Sequence, residues 1–317
     1  MYYPFMRGKQ FELLALRDIS TSFEDHKKEL IHPIIEPVKE NLNSLTRALQ
    51  ALSKSQIESF VIINPTVGYY QKDKTSLLDY LCKSHIRDIY PAVYLTTGTS
   101  NDQIEYYLNS LASFDKICLI HSGFPDSEFI LNQISKSGKE FINIFFHKHS
   151  SAIYRNKFRE YGKRVLIDDY FAAEEKNSDY QKQSFFTDIH LLFKNEYNLD
   201  GFGDFQTIGS RYSESGGPAY AVALHFSYID AEGDKEIFVR HYVSDTNHTP
   251  ADPASKFAEA LEKFFIDYEA NPGLFYETQA IVEFKKLKQN GHFPGLGYIK
   301  KLSIKHHLET VVNFLGN

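Results

Sequence analysis

Eight short apolar runs along this chain each end on a polar or charged side chain, and those end residues are where chemistry is to be sought. They are Arg17, Glu36, Asn64, Tyr94, His121, His147, Asp168 with Asp169, and Asp204. An imidazole titrates near neutrality, so His121 or His147 suits general acid–base work. Carboxylates bind hard divalent ions through oxygen, and such an ion activates water. Glu36, Asp168 and Asp204 are the candidates to hold Mg2+ or Mn2+. Arg17, and Lys39 just past Glu36, would neutralise charge developing on a phosphate. Gathered in one pocket, Glu36, His121, His147 and Asp168 would form a catalytic set for hydrolysing a phosphodiester or phosphate ester. Arg17, Lys39, Asn64, Tyr94, Asp169 and Asp204 would then line the ligand site.

Each of these residues also has a plainer reading. Strand ends meet water, so polarity there is ordinary. The carboxylates could pair with Arg17 or Lys39, and a lone histidine is as often a hydrogen-bonded structural group. His147 and His149 would point the same way on an extended segment and suit a metal or an anion, though Lys148 between them also fits a solvated turn. No His-Glu-x-x-His spacing supports a metal. Farther along, His225, Arg240 and His241 add ligand candidates; on a strand Arg240 and His241 face opposite ways, so at most one reaches a shared pocket. There is no Gly-x-Ser-x-Gly elbow, and Cys82 and Cys118 sit among apolar residues as packing groups, which disfavours acyl-enzyme chemistry.

The elements that must position these residues alternate along the chain. Near-continuous apolar runs at 11–17, 33–36, 60–64, 90–94, 117–121, 141–147, 164–169 and 201–207 suit parallel strands covered on both faces. Helical patterns lie between them. Leu42, Leu45, Leu49 and Leu52 share a stripe, Ser100 with Gln103 fits a capping box, and Pro125, Asp126 and Glu128 suit a first helical turn. Residues 185–197 fill the last gap as a further helix. Eight strand–helix units predict an α/β fold, a (β/α)8 TIM-like barrel, whose working residues sit at the C-terminal ends of the strands. An open doubly wound sheet is the alternative. Neither Gly201-Phe202-Gly203 nor Gly216-Gly217-Pro218 has the context of a dinucleotide or phosphate loop.

The last third breaks the rhythm. Residues 219–229 and 236–243 flank the turn Asp230-Ala231-Glu232-Gly233-Asp234 and predict a β-hairpin, read as an insertion after strand eight. Asp252-Pro253 opens a helix with an apolar stripe, taken as the helix that closes the barrel. The expectation is one barrel-type domain over 1–317, with its core at about 11–270, the hairpin at 219–243 and a C-terminal helical tail at 271–317.

Composition narrows the classes. The chain has 317 residues, 42% hydrophobic and 24% charged, which is globular rather than disordered. Its net charge of −6 argues against generic coating of DNA. No run approaches the ~20 apolar residues that span a bilayer, and the polar opening at 1–10 does not read as a secretory leader. The expectation is a cytoplasmic protein away from membranes. Two cysteines cannot carry a disulfide framework. The 26 Phe and 21 Tyr, without Trp, predict a bulky core rather than base-stacking platforms, because no basic stripe interleaves them.

The opening Tyr2-Tyr3-Pro4-Phe5-Met6-Arg7-Gly8-Lys9-Gln10-Phe11-Glu12-Leu13 resembles the start of a family of uncharacterised bacterial proteins related to the phage beta-protein group. Gly201-Phe202-Gly203-Asp204-Phe205, Gly217-Pro218-Ala219-Tyr220-Ala221 and Ser244-Asp245 are similar as well. The resemblance implies a barrel-like fold and a bacterial or phage setting. It also implies a small nuclease-like protein as partner, in a two-component defence or mobile-element module. It carries no catalytic residues to transfer. The two cations of Arg7-Gly8-Lys9-Gln10 could contact phosphate or a partner's acidic patch, but by position the segment reads as a lead-in covering the barrel floor, opposite the mouth.

Two functions remain from the sequence: a ligand-sensing or partner-binding protein, whose ligand would be a phosphorylated or nucleotide small molecule, and a metal-dependent phosphodiester or phosphate-ester hydrolase. The second requires Glu36, His121 and Asp168 to converge.

Overall fold

Strands rich in Val, Ile, Leu and Phe on both faces need cover on both faces, and they form a parallel sheet here. The computed structural model describes every residue except Lys74, Ser215 and Pro218, so the Pro218 of the resemblance lies outside the described residues. Among the described residues the strands are β1 (Phe5–Met6), β2 (Ile34–Ile35), β3 (Ser59–Ile62), β4 (Ile89–Thr96), β5 (Lys116–Ser122), β6 (Glu140–Phe146), β7 (Lys163–Ile167), β8 (Gln183–Thr187), β9 (Gly201–Gly203), β10 (Ala223–Ile229) and β11 (Ile237–Val243). Strands β1 to β7, followed by β9, pair in that order, each parallel to the next. The sheet closes on itself, with Tyr3 N donating to Phe202 O at 2.8 Å, Phe5 N to Asp204 O at 2.9 Å and Phe202 N to Met1 O at 3.0 Å. The fold is therefore the (β/α)8 barrel and not the open sheet. No helix among the described residues is long and apolar enough to cross a membrane.

The seam explains a motif that had no role. A Cβ on Gly203 would lie 2.1 Å from Tyr3 O, and one on Gly201 would meet the Tyr3 ring at 2.7 Å. Only glycine lets β9 approach this closely. Aromatic rings pack against one another inside the barrel. Phe60 packs on Tyr3 and Tyr90, and Phe5, Tyr94 and Phe146 form a second layer with centroids 5.7–6.4 Å apart.

Two local expectations fail at the start of the chain. Residues 11–17 are not a strand but part of the helix Gln10–Ser22, whose buried Glu12, Leu13, Ala15, Leu16, Ile19 and Ser20 repeat at helical spacing. The first strand is instead Phe5–Met6, so Arg7 stands at its C-terminal end, on the mouth side. Arg7-Gly8-Lys9-Gln10 is therefore not a cover for the floor. The capping box forms as read, with Gln103 N donating to Ser100 Oγ at 3.3 Å and Ser100 N to Gln103 Oε1 at 3.0 Å. Asp126 caps Ser127–Ser137 by accepting from Phe129 N at 3.0 Å.

The chain folds as two compact units. One, the barrel unit, comprises Met1–Gln10, Lys28–Asp168 and Leu191–Asp204; the other comprises Phe11–Lys27, Asp169–His190 and Phe205–Asn317. In the second unit β10 and β11 form the expected antiparallel hairpin, with Ile229 opposite Ile237. A third strand joins it. Residues 185–197, read as a helix, give β8 and only the short helix Ile189–Leu192. The reason is the alternation around Phe186, which is buried, and Phe185, which is exposed and packs on Phe238 at 5.6 Å. The helix Pro253–Ala270 packs on this sheet rather than closing the barrel: Phe264 stacks on Phe226 with centroids 3.8 Å apart. The C-terminal segment is helical, as expected. Leu296–Leu315 is a helix buried along most of its length, and Gly297 lets it press onto the Phe11 ring, where a Cβ would sit 1.9 Å away.

Candidate functional site

Seven of the barrel's sequence-derived candidates can be followed at the C-terminal ends of its strands. Glu36, after β2, has no exposed surface. Its Oε2 accepts from Arg7 Nη1, and its Oε1 accepts from Thr66 N at 2.6 Å and from Thr66 Oγ1 at 2.9 Å. Arg7 also lies over the Phe5 ring and bonds the Tyr94 phenol, whose pKa burial drives far above the usual range. Asn64 is committed to the neighbouring strand: its Nδ2 donates to Tyr94 O at 2.9 Å and its Oδ1 accepts from Tyr94 N at 2.8 Å. Asp204, also without exposure, accepts from the Tyr2 phenol at 2.7 Å. Lys39 is exposed past the end of β2.

His121 is a correction. Successive residues of β5 alternate in direction, and His121 falls on the helix-covered face rather than the lumen. Its ring stacks on Phe145 and meets Phe158, both at 4.6 Å. Its Nε2 donates to Asn143 Oδ1 at 3.1 Å, while Asn143 Nδ2 donates to Tyr161 O, so Nδ1 accepts from the Tyr154 hydroxyl at 2.9 Å. Burial lowers its pKa to about 3. It holds the fold and does not converge with Glu36 and Asp168.

The open side chains are on the turn after β6. His147–His149 is a short 3-10 turn, not an extended segment. His147 Nδ1 lies 3.5 Å from Asp168 Oδ2, Lys148 Nζ 3.9 Å from Asp168 Oδ1, and His149 Nδ1 2.8 Å from Ser122 Oγ. The side chains of His147 and Lys148 are 48% and 72% exposed. Beside the ends of β3 and β4 a cavity of about 260 Å3 is lined by Asn64, Thr66, Tyr70, Tyr94, Thr96 and Tyr107. Glu36, Asp168 and Asp204 do not fit a shared divalent ion. Glu36 spends both oxygens on Arg7 and Thr66, Asp204 Oδ1 accepts from the buried Tyr2 phenol, and among the described residues no three His, Cys, Asp or Glu side chains are grouped to hold a metal.

Five candidates belong to the second unit. Arg17 is exposed on the helix Gln10–Ser22 and ends no strand. Asp169 organises a loop, accepting from Ser210 N at 2.8 Å and Phe171 N at 3.3 Å. Arg240 and His241 do face opposite ways. Arg240 pairs with Asp267, which the Tyr242 phenol also bonds. His241 lies directly across the hairpin from His225, with the two Nδ1 atoms 2.8 Å apart, and its Nε2 is 2.9 Å from Ser184 Oγ. His225 lines a cavity of about 390 Å3.

Sequence reasoning missed Thr66, Ser184 and Thr207, and it put Arg7 on the barrel floor rather than at the mouth. For Arg7 a signal existed, since Phe5-Met6 is an apolar step before a cation like those it used elsewhere. Compared with protein-family models and with curated proteins, the chain matches none.

Proposed function

We propose that this chain is a ligand- and partner-binding protein of the bacterial cytoplasm whose barrel mouth takes a small phosphorylated anion. It would be the sensing component of a defence or mobile-element module, with a nuclease-like protein as partner. One observation carries the ligand part: His147, Lys148 and His149 stand open on a single turn at the barrel's C-terminal end. A lysine between two imidazoles attracts an anion, and Asp168 orients His147 and Lys148. The partner and the module rest on the sequence resemblance alone.

Binding is favoured over hydrolysis by how the other candidates are used. A general acid–base must reach the reacting group, and His121 is walled in by Tyr154, Asn143 and Phe158. A metal-holding carboxylate must keep oxygens free, and those of Glu36 are taken by Arg7 and Thr66.

Calorimetric titration with ribose 5-phosphate tests the ligand. Binding with a Kd below about 1 mM, lost in the H147A/H149A double variant, is the expected result. Turnover of a phosphodiester in Mg2+ or Mn2+ that E36Q abolishes would overturn the reading. Purification from the native host should recover a stoichiometric second protein; recovery of the chain alone would remove the partner.

A further inference from the structure

The hairpin brings two histidines face to face. Directly opposed residues of an antiparallel pair have Cβ atoms about 4.5–5.5 Å apart, and His225 and His241 are such a pair. Their Nδ1 atoms, 2.8 Å apart, share one proton, so one ring donates and the other accepts. Ser184 of β8 extends the chain through His241 Nε2. The order of protons can run either way. If the Ser184 hydroxyl donates, His241 Nδ1–H donates to His225, and His225 Nε2 carries a hydrogen. If Ser184 accepts, the sequence reverses and His225 Nε2 becomes an acceptor.

His225 Nε2 takes no hydrogen bond among the described residues. Its side chain lines the cavity of about 390 Å3, within the range of small-molecule sites. Burial, then His241 and Lys300, lower its pKa to about 3, so it stays neutral in both settings. A second uncommitted group stands in the same wall: Thr207, only 3% exposed, has a buried Oγ1 without a partner. Such groups cost stability unless something bonds them. Phe171 and Tyr180 flank the His225 ring at 5.2 and 4.7 Å, giving the cavity flat apolar surfaces. At its rim stand exposed cations, Arg211 and Lys300, and exposed carboxylates, Glu174 and Glu175.

We propose that this pocket of the second unit binds a nucleotide, with the base against Phe171 and Tyr180, its polar edge on His225 and Thr207, and the phosphate at Arg211 and Lys300. The neutral, reversible His225 reads a donor or an acceptor on the ring edge. Glu174 and Glu175 accept hydrogen bonds from sugar hydroxyls, as carboxylates do in other nucleotide sites. The proposal does not rest on the barrel-mouth reading.

Titrate the full chain with the four common nucleoside 5′-monophosphates, the matching nucleosides and inorganic phosphate, by calorimetry and by NMR of 15N-labelled histidine. At least one monophosphate should bind at least about tenfold more tightly than its nucleoside or phosphate, and should shift the His225 and His241 ring nitrogens. H225Q should lose this binding. R211A and K300A change only exposed side chains, so they remain decisive if H225Q does not fold; each should weaken the monophosphate about tenfold and leave the nucleoside unchanged. The shifts of the His225 and His241 ring nitrogens should persist in K148A, whatever that change does to anion binding at the barrel end. Equal affinity for phosphate and monophosphate, unchanged affinity in R211A and K300A, silent histidine resonances, or no binding at about 1 mM ligand would each overturn the proposal.

Discussion

Glu36 in the barrel unit and Glu309 in the second unit are both carboxylates with almost no exposure, 0% and 3%, yet they are held in opposite ways. Glu36 is matched by the Arg7 guanidinium and by two donors of Thr66. Glu309 accepts from Ala280 N at 3.1 Å and from Ser22 Oγ at 3.3 Å, and burial pushes its pKa up to about 7. The contrast extends to their surroundings. At the barrel's strand ends Asn64 and His121 spend their polar atoms within the unit, and Asp204 Oδ1 accepts from Tyr2 there. In the second unit His225 Nε2 and Thr207 Oγ1 are left over. Polarity at a strand end first serves closure of the barrel; polarity without a partner is the better mark of a binding site.

The strongest way to test that the barrel's own features are architectural is at its seam. G203V should cost about 4 kcal/mol or more, because the new side chain meets Tyr3 O where only hydrogen now fits. Loss of soluble protein, or a collapse of the thermal transition, is expected; a melting temperature within a few degrees of the wild type would break this account of closure.

The Arg7–Glu36 pair comes next. R7M strands a buried carboxylate and should cost about 3–5 kcal/mol in urea unfolding, with much of it restored in R7M/E36Q. If R7M were fully stable but failed to bind ribose 5-phosphate, the pair would belong to the ligand site and the contrast with the second unit would vanish.

Glu309 gives the opposite sign. Between pH 4.5 and about 7 the folded chain holds this proton more firmly than the unfolded one. Stability from this group is therefore full at low pH, falls as pH rises through that window, and is level above it. E309Q should flatten the profile and exceed the wild type above pH 7 by up to about 3 kcal/mol. Superimposable wild-type and E309Q profiles would show that Glu309 is as well compensated as Glu36.

The barrel was legible because buried parallel strands are apolar on both faces, so β2 to β7 announce themselves as runs. What hid were segments whose pattern serves two periods. Phe11-Glu12-Leu13-Leu14-Ala15-Leu16 reads as a run until Ile19 and Ser20 extend it at helical spacing. Phe5-Met6 is too short to read as a run, and its pairing comes from strands far off in sequence. Gly201 and Gly203 take their meaning from Tyr3, some 200 residues away. At the site level, the residue types at the strand ends were readable but their commitments were not. Direction along β5 turns His121 outward, and only the fold shows that Thr66 and Arg7 occupy Glu36. The His225–His241 pair was closer to hand, since both are equidistant from the hairpin turn and opposed in register.

The smallest expected change in stability is also the sharpest test of the open turn at the barrel end. Lys148 is mostly exposed and 3.9 Å from Asp168, a pair worth about 0–1 kcal/mol. K148A should therefore shift unfolding by no more than about 0.5 kcal/mol. Its affinity for ribose 5-phosphate should nonetheless fall about fivefold at low ionic strength, and by less at about 1 M salt, where charges are screened within about 3 Å. A fall that ignores salt would mean that Lys148 acts through shape, leaving His147 and His149 as the anion's partners. No fall at all would leave the barrel end wholly architectural, with ligand binding confined to the second unit's pocket.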